Sequence, residues 1–273
     1  MSQRIAVIGT GFTPAGTNSP PAAIAAVAGA DFKPELVETR YSVFPGTPFD
    51  RGLAALGYLD CGIKAAEDGY AGIFINTFGD YGINELRSAV AIPVVGAGEA
   101  AMAMASTLGR RFAIVTIWPT TLRFIFDERI ASTGMASRCT DVISVLDEDE
   151  MKGRGAADDP VAQMRAGKAA VIDRIVKAAE GALSRGADTI VLGCTCMAPV
   201  AGQIAARVPV PVVDPMTAGY KFTEAMVALK LLQSPVAYPR AASDRLAAVG
   251  KLLSDGTLPA SDPDCDVCVI AAE

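Results

Sequence analysis

This chain of 273 residues has six cysteines and no histidine. The missing imidazole excludes a Ser-His-Asp triad, a Cys-His pair and a His-ligated zinc. A catalytic cysteine would then have to be activated by backbone dipoles or other groups, and one thiol stands out by its surroundings. Cys194 lies in the run Val191-Leu192-Gly193-Cys194-Thr195-Cys196-Met197-Ala198-Pro199. The stretch Thr189-Ile190-Val191-Leu192 is β-branched and apolar, as a buried strand requires. Pro199 and the Ala-rich segment after it predict a helix with proline near its first turn. Cys194 is thus expected where a strand ends and feeds a helix N-terminus, the place where open α/β sheets bind ligands. Backbone N–H groups and the helix dipole favour a thiolate there and lower a cysteine pKa from about 8.5 to roughly 3.5–7.5. The competing reading is a small, inert, buried hydrophobe.

The elements that must position this residue alternate along the chain. Strands are predicted at 4–9, 36–43, 72–75, 92–96, 112–117, 141–145, 189–192 and 210–214. Helices are predicted at 53–68, 83–89, 99–108, from Trp118-Pro119 to 132, 161–184, 216–232 and 245–253. A Gly/Pro-rich loop from Thr10 to Pro21 follows the first strand, and Lys152 to Pro160 reads as a charged loop. Alternating strands and helices predict parallel sheets with helices on both faces. The pattern also restarts half-way. Ile5-Ala6-Val7 returns as Ala113-Ile114-Val115, Thr77 falls opposite Cys194, and Pro93-Val94-Val95 returns as Pro211-Val212-Val213. The expected fold is α/β, with two pseudo-symmetric lobes, each a parallel four-stranded sheet flanked by helices, and an active-site cleft between them. The first lobe takes residues 1–110 and 215–273, the second 111–214.

Bulk properties narrow the function. Hydrophobic residues are 51% of the chain, with 26 Gly and 17 Pro, which supports a sizeable core and many turns. A net charge of −6 without a basic run argues against nucleic-acid binding. No apolar run reaches the ~20 residues that span a bilayer. The start, MSQRIAVIGT, enters a strand directly with no signal-peptide pattern, so a cytoplasmic location is expected. Six cysteines are too sparse for a disulfide scaffold, and free thiols are expected.

Four elements carry a family likeness: Phe78-Gly79-Asp80-Tyr81-Gly82, Pro93 to Ala101, Gly109 to Thr116, and Leu192-Gly193-Cys194-Thr195-Cys196-Met197. In this order they resemble the aspartate/glutamate/hydantoin racemase superfamily, and its hydantoin and allantoin racemases most. The resemblance implies a cofactor-free enzyme, oligomeric as the family tends to be, that holds a small carboxylate or carbonyl substrate with an acidic carbon. It implies two cysteines flanking that carbon, one removing a proton and the other delivering one. Cys194 matches the second of these. The first position, immediately before Phe78-Gly79-Asp80, is Thr77, whose hydroxyl is a far weaker acid than a thiol.

One cysteine also suits one-sided chemistry. The superfamily's arylmalonate decarboxylase lacks the first-half cysteine, and its remaining thiol protonates an enediolate after CO2 is lost. Either reaction needs donors for the developing oxyanion. Asn76, Thr77 and the amides of Phe78 and Gly79 could form one half of such a cradle, and the amides of Thr195 and Cys196 the other. Thr10 and Thr116 are candidate carboxylate or carbonyl contacts, and Trp118 either walls the pocket or fills the core. Glu99 reads as a charge at a helix N-terminus. A zinc site from Cys194-x-Cys196 and Cys265-x-x-Cys268 is the competing use of the thiols, with an unusual ligand spacing.

Overall fold

The structure, a computed structural model, describes residues 2–9, 19–39, 43–151 and 159–255. In the first half, β1 (Gln3–Gly9), α1 (Ala22–Val27), β2 (Phe32–Glu38), α2 (Pro48–Glu67), β3 (Gly72–Ile75), α3 (Ile83–Ala89) and β4 (Val94–Gly96) follow one another. The second half runs α4 (Ala97–Leu108), β5 (Phe112–Thr116), α5 (Arg123–Ser132), β6 (Cys139–Ser144), α6 (Glu148–Met151), α7 (Pro160–Arg165), α8 (Ala169–Ser184), β7 (Thr189–Leu192), α9 (Ala201–Ala205) and β8 (Val212–Val213). The helices α10 (Pro215–Ala228) and α11 (Ser243–Asp255) complete the described chain.

The strands form two four-stranded parallel sheets, ordered β2-β1-β3-β4 and β6-β5-β7-β8. Each half therefore threads its four strands in the same order, as the repeated sequence landmarks predict. The chain divides into two compact units. One holds Met1–Asn76, Tyr81–Gly96 and Tyr220–Glu273, and the other Thr77–Asp80 and Ala97–Gly219.

In the first unit, Gly72 and Phe74 project from one face of β3, as the strand period of two requires. A side chain at Gly72 would meet Val227 of α10. The Phe74 ring lies edge-on to Tyr220 at 6.5 Å. In the second unit the same period sorts the core into two layers. Ala113, Val115, Ile190 and Leu192 pack with Val171, Ile172, Ile175, Val176, Ala179 and Ala182 of α8. Phe112, Ile114, Val191 and Val213 pack with Ala101, Met102 and Ala105 of α4 and Phe126 and Ile130 of α5. Helices thus cover both faces, which is why these strands read as unbroken apolar runs.

Several boundaries differ from the sequence expectation. The second strand lies four residues earlier, over Phe32–Glu38, and holds Pro34. β2 is an edge strand, where a missing N–H is tolerated. The first long helix begins at Pro48, not Leu53, because Thr47 and Asp50 form a reciprocal capping box ahead of it. The single helix expected over 161–184 is two helices, separated by a turn at Gly167 with φ 73°. The short α1 was not anticipated, since its six residues carry no periodic stripe. The loop 10–18, residues 152–158 and the tail with Cys265 and Cys268 lie outside the described residues.

Candidate active site

β7 ends at Leu192, and Gly193 and Cys194 follow it directly. Gly193 donates its N–H to the Val115 carbonyl at 2.8 Å, which continues the pairing with β5 past the strand. Its missing side chain is required, because a Cβ there would stand 2.5 Å from the Thr116 Cβ. This close approach fixes the direction in which the chain leaves the sheet at Cys194. The Thr116 hydroxyl accepts from the Trp118 amide at 3.2 Å and lies 3.5 Å from the Gly193 carbonyl. Fully buried, it ties the ends of β5 and β7 together.

Cys194 caps a 3-10 helix over Thr195–Val200, and its sulfur accepts the Cys196 amide at 3.1 Å. The Met197 amide donates to the Cys194 carbonyl at 3.1 Å. Pro199 lies inside this 3-10 segment. The α-helix expected to start there begins only at Ala201. Cys194 keeps 8% of its surface and Cys196 2%; both pack with Leu192, Met197 and Val200, and partly buried Trp118 lies against that group. Trp118 also borders the layer that contains Phe78.

The thiols are not free. Cys194 and Cys196 form a disulfide, which corrects the expectation of reduced cysteines throughout. The 3-10 turn brings their Cα atoms to 5.1 Å, inside the roughly 4.4–6.8 Å that a disulfide spans. In this form the two sulfurs cannot serve as paired zinc thiolates. Among the described residues no cluster of Cys, Asp and Glu could hold a metal.

Thr77, Phe78 and Gly79 belong to the same unit as Cys194, Thr195, Cys196, Thr116 and Trp118. Asn76 is buried in the first unit, where its amide donates to the Ile8 carbonyl at 2.8 Å. Thr10 lies outside the described residues. Phe78 packs on Phe126 with ring centroids 5.2 Å apart.

Sequence reasoning overlooked the residue that holds this segment in place. Asp80 is buried, with φ 47°, and its carboxylate accepts the Gly98 and Glu99 amides of α4, each at 2.9 Å. The Asp80 amide in turn donates to the Thr77 carbonyl at 3.2 Å. Gly98 is needed beside it, since a Cβ there would fall 2.1 Å from the Phe78 carbonyl oxygen. Glu99 does sit in the first turn, but Asp80 is the cap. The motif Phe-Gly-Asp was visible, and the signal left unread was an acidic side chain poised before a Gly-rich helix start.

Burial and the neighbouring Glu99 push the Asp80 carboxyl up to about 7, against opposing pulls from the two amides and Arg129. The folded chain thus keeps a proton that the unfolded chain releases near about 3.9. Between these values the folded state binds more protons, so stability falls as pH rises. Asp214, partly buried and raised by desolvation, acts in the same direction. Urea midpoints should therefore drop from pH 5 to pH 7, with a slope of up to about 1.4 kcal/mol per pH unit for one proton. Asp80→Asn, which cannot titrate, should flatten most of that slope. A slope unchanged in the variant would remove Asp80 as its source.

A family model for the Asp/Glu/Hydantoin racemases matches residues 5–223. The chain belongs to the Asp/Glu/hydantoin racemase family. It is an enzyme of the racemase type. A hydantoin racemase of Pseudomonas sp. (strain NS671) is 30% identical over 189 residues, covering 66% of this racemase-family chain and 68% of the relative. The structure of allantoin racemase from Klebsiella pneumoniae superposes with a TM-score of 0.73 at 31% identity, over 89% of this chain and 96% of that one. Arylmalonate decarboxylase shares the fold alone, with a TM-score of 0.52 at 19% identity over 82% of this chain and 92% of that one.

Proposed function

We propose that this family member is a cofactor-independent racemase acting at the acidic carbon beside a carbonyl, in a small hydantoin-like ring or carboxylate. Cys194, once reduced, is the thiol acid/base. The observation that carries this reading is the Cys196 amide held 3.1 Å from the Cys194 sulfur at the end of β7. A hydrogen bond to the charged form favours it, so this N–H stabilises a thiolate.

The Cys194 thiolate takes the proton, and charge moves onto the carbonyl oxygen as an enolate. Backbone amides of the Thr77–Gly79 segment and of Thr195 are the donors for it. Since the Cys196 amide is directed at sulfur, its role is to poise the thiol and not to hold the oxyanion. The flattened carbon is re-protonated from the second face by a water held at the Thr77 hydroxyl. A water is a weaker donor than a second thiol, so turnover is slow for this family.

Thr77 also favours a second reading, the decarboxylase type, in which Cys194 alone protonates an enediolate from one side. The test is a panel: single enantiomers of 5-substituted hydantoins, allantoin and aspartate, plus an arylmalonate, each with reduced protein. Decay of optical rotation with the cyclic ureides is the expected result. Release of CO2 from the malonate without any loss of rotation elsewhere would replace racemisation by decarboxylation.

A further inference from the structure

We propose that Cys194 and Cys196 are a peroxide-reactive modification site that turns this enzyme off reversibly, with Cys196 as the resolving thiol. The proposal rests on Cys194 being the working thiol, but its primary readout does not depend on turnover. Four observations converge. The two residues are joined in the structure, with Cα atoms 5.1 Å apart. The turn that brings them together is fixed by the Met197 amide on the Cys194 carbonyl and by Gly193 wedged against Thr116. The Cys196 amide points at the Cys194 sulfur, so the attacking thiolate is favoured at residue 194. The more accessible member of the pair is also Cys194, at 8% against 2%.

The chemistry balances in two steps. The Cys194 thiolate attacks one oxygen of hydrogen peroxide. The O–O bond breaks, a sulfenic acid forms and the leaving oxygen departs as water after taking a proton. The Cys196 sulfur then attacks the Cys194 sulfur. The S–S bond forms, the S–O bond breaks, and hydroxide leaves with the Cys196 proton as water. Two thiols are oxidised by two electrons and the peroxide is reduced. A dithiol reductant reverses the change by thiol–disulfide exchange. Because Cys196 is already in place, resolution outruns further oxidation to sulfinic acid. The other described cysteines lack these features. Cys61 is buried and donates to the Glu38 carbonyl, and burial pushes Cys139 up to about 11.

The oxidised pair cannot exchange a proton at carbon, so pairing and turnover are mutually exclusive. The test uses the full-length chain, reduced, desalted and exposed to a slight excess of hydrogen peroxide. Remaining thiols are blocked with N-ethylmaleimide and the tryptic peptides weighed. The peptide carrying both residues should lose two hydrogens and take up no label, before any other cysteine changes. Dithiothreitol should restore two labelled thiols, and activity should fall and return with the paired fraction. In Cys196→Ser the same peptide should instead gain oxygens that dithiothreitol does not remove. Stepwise oxygen gain at Cys194 in the native sequence, with no pairing, would overturn the proposal. So would a pair that forms while turnover stays unchanged. Pairing in a protein inactive on every substrate would leave the redox site standing and sink the racemase reading instead.

Discussion

Cys194→Ala should lower turnover by about 10^3-fold or more while leaving the fold intact. General acid/base groups contribute about 10^2–10^4-fold, and no second described thiol of the same compact unit adjoins this position once Cys196 is set aside. Cys139 sits at the start of β6, the end of that strand away from the C-terminal ends of β5 and β7. The substitution itself is mild. It removes one buried sulfur and its acceptance of the Cys196 amide, but keeps the extended backbone that starts the 3-10 turn. Circular dichroism and the urea midpoint should therefore stay close to those of the reduced native chain. A variant that folds and still racemises at the native rate would take the chemistry away from this residue.

Thr77→Cys should act in the opposite direction and raise racemisation by about 10^2-fold, the size of one acid/base group gained. Thr77 is partly exposed, and its carbonyl is already held by the Asp80 amide, so the new side chain inherits a fixed backbone. A thiol in place of the hydroxyl supplies the strong donor on the second face. Thr77→Ser, which changes shape but not acidity, should leave the rate near native. Under the decarboxylase reading the same change would scramble a single product enantiomer into both. No gain with Cys would mean that the two residues do not work on one carbon.

The sequence conveyed the architecture well, since buried parallel strands are continuous apolar runs and the two halves repeat the same landmarks. That both sheets share one strand order follows from that repeat. Boundaries were less legible, because capping at Thr47 and the break at Gly167 are decided by one or two residues each. The place of Cys194 at the end of β7 was readable from the apolar strand before it. The bond to Cys196 was not, since composition speaks for the chain as a whole and a local turn sets the spacing of two sulfurs. Asp80 went unread for a related reason: it caps a helix start 18 residues further along the chain, and only folding brings the two together.

Proton exchange at carbon, followed by NMR in D2O, reports the proposed act of Cys194 apart from any overall inversion. A chiral hydantoin incubated with the dithiothreitol-reduced chain should exchange its ring proton for deuterium. The exchange should stop when Cys194 alone is alkylated, as verified by peptide mass. Continued exchange by the fully alkylated protein would contradict the assignment of that sulfur as the proton carrier.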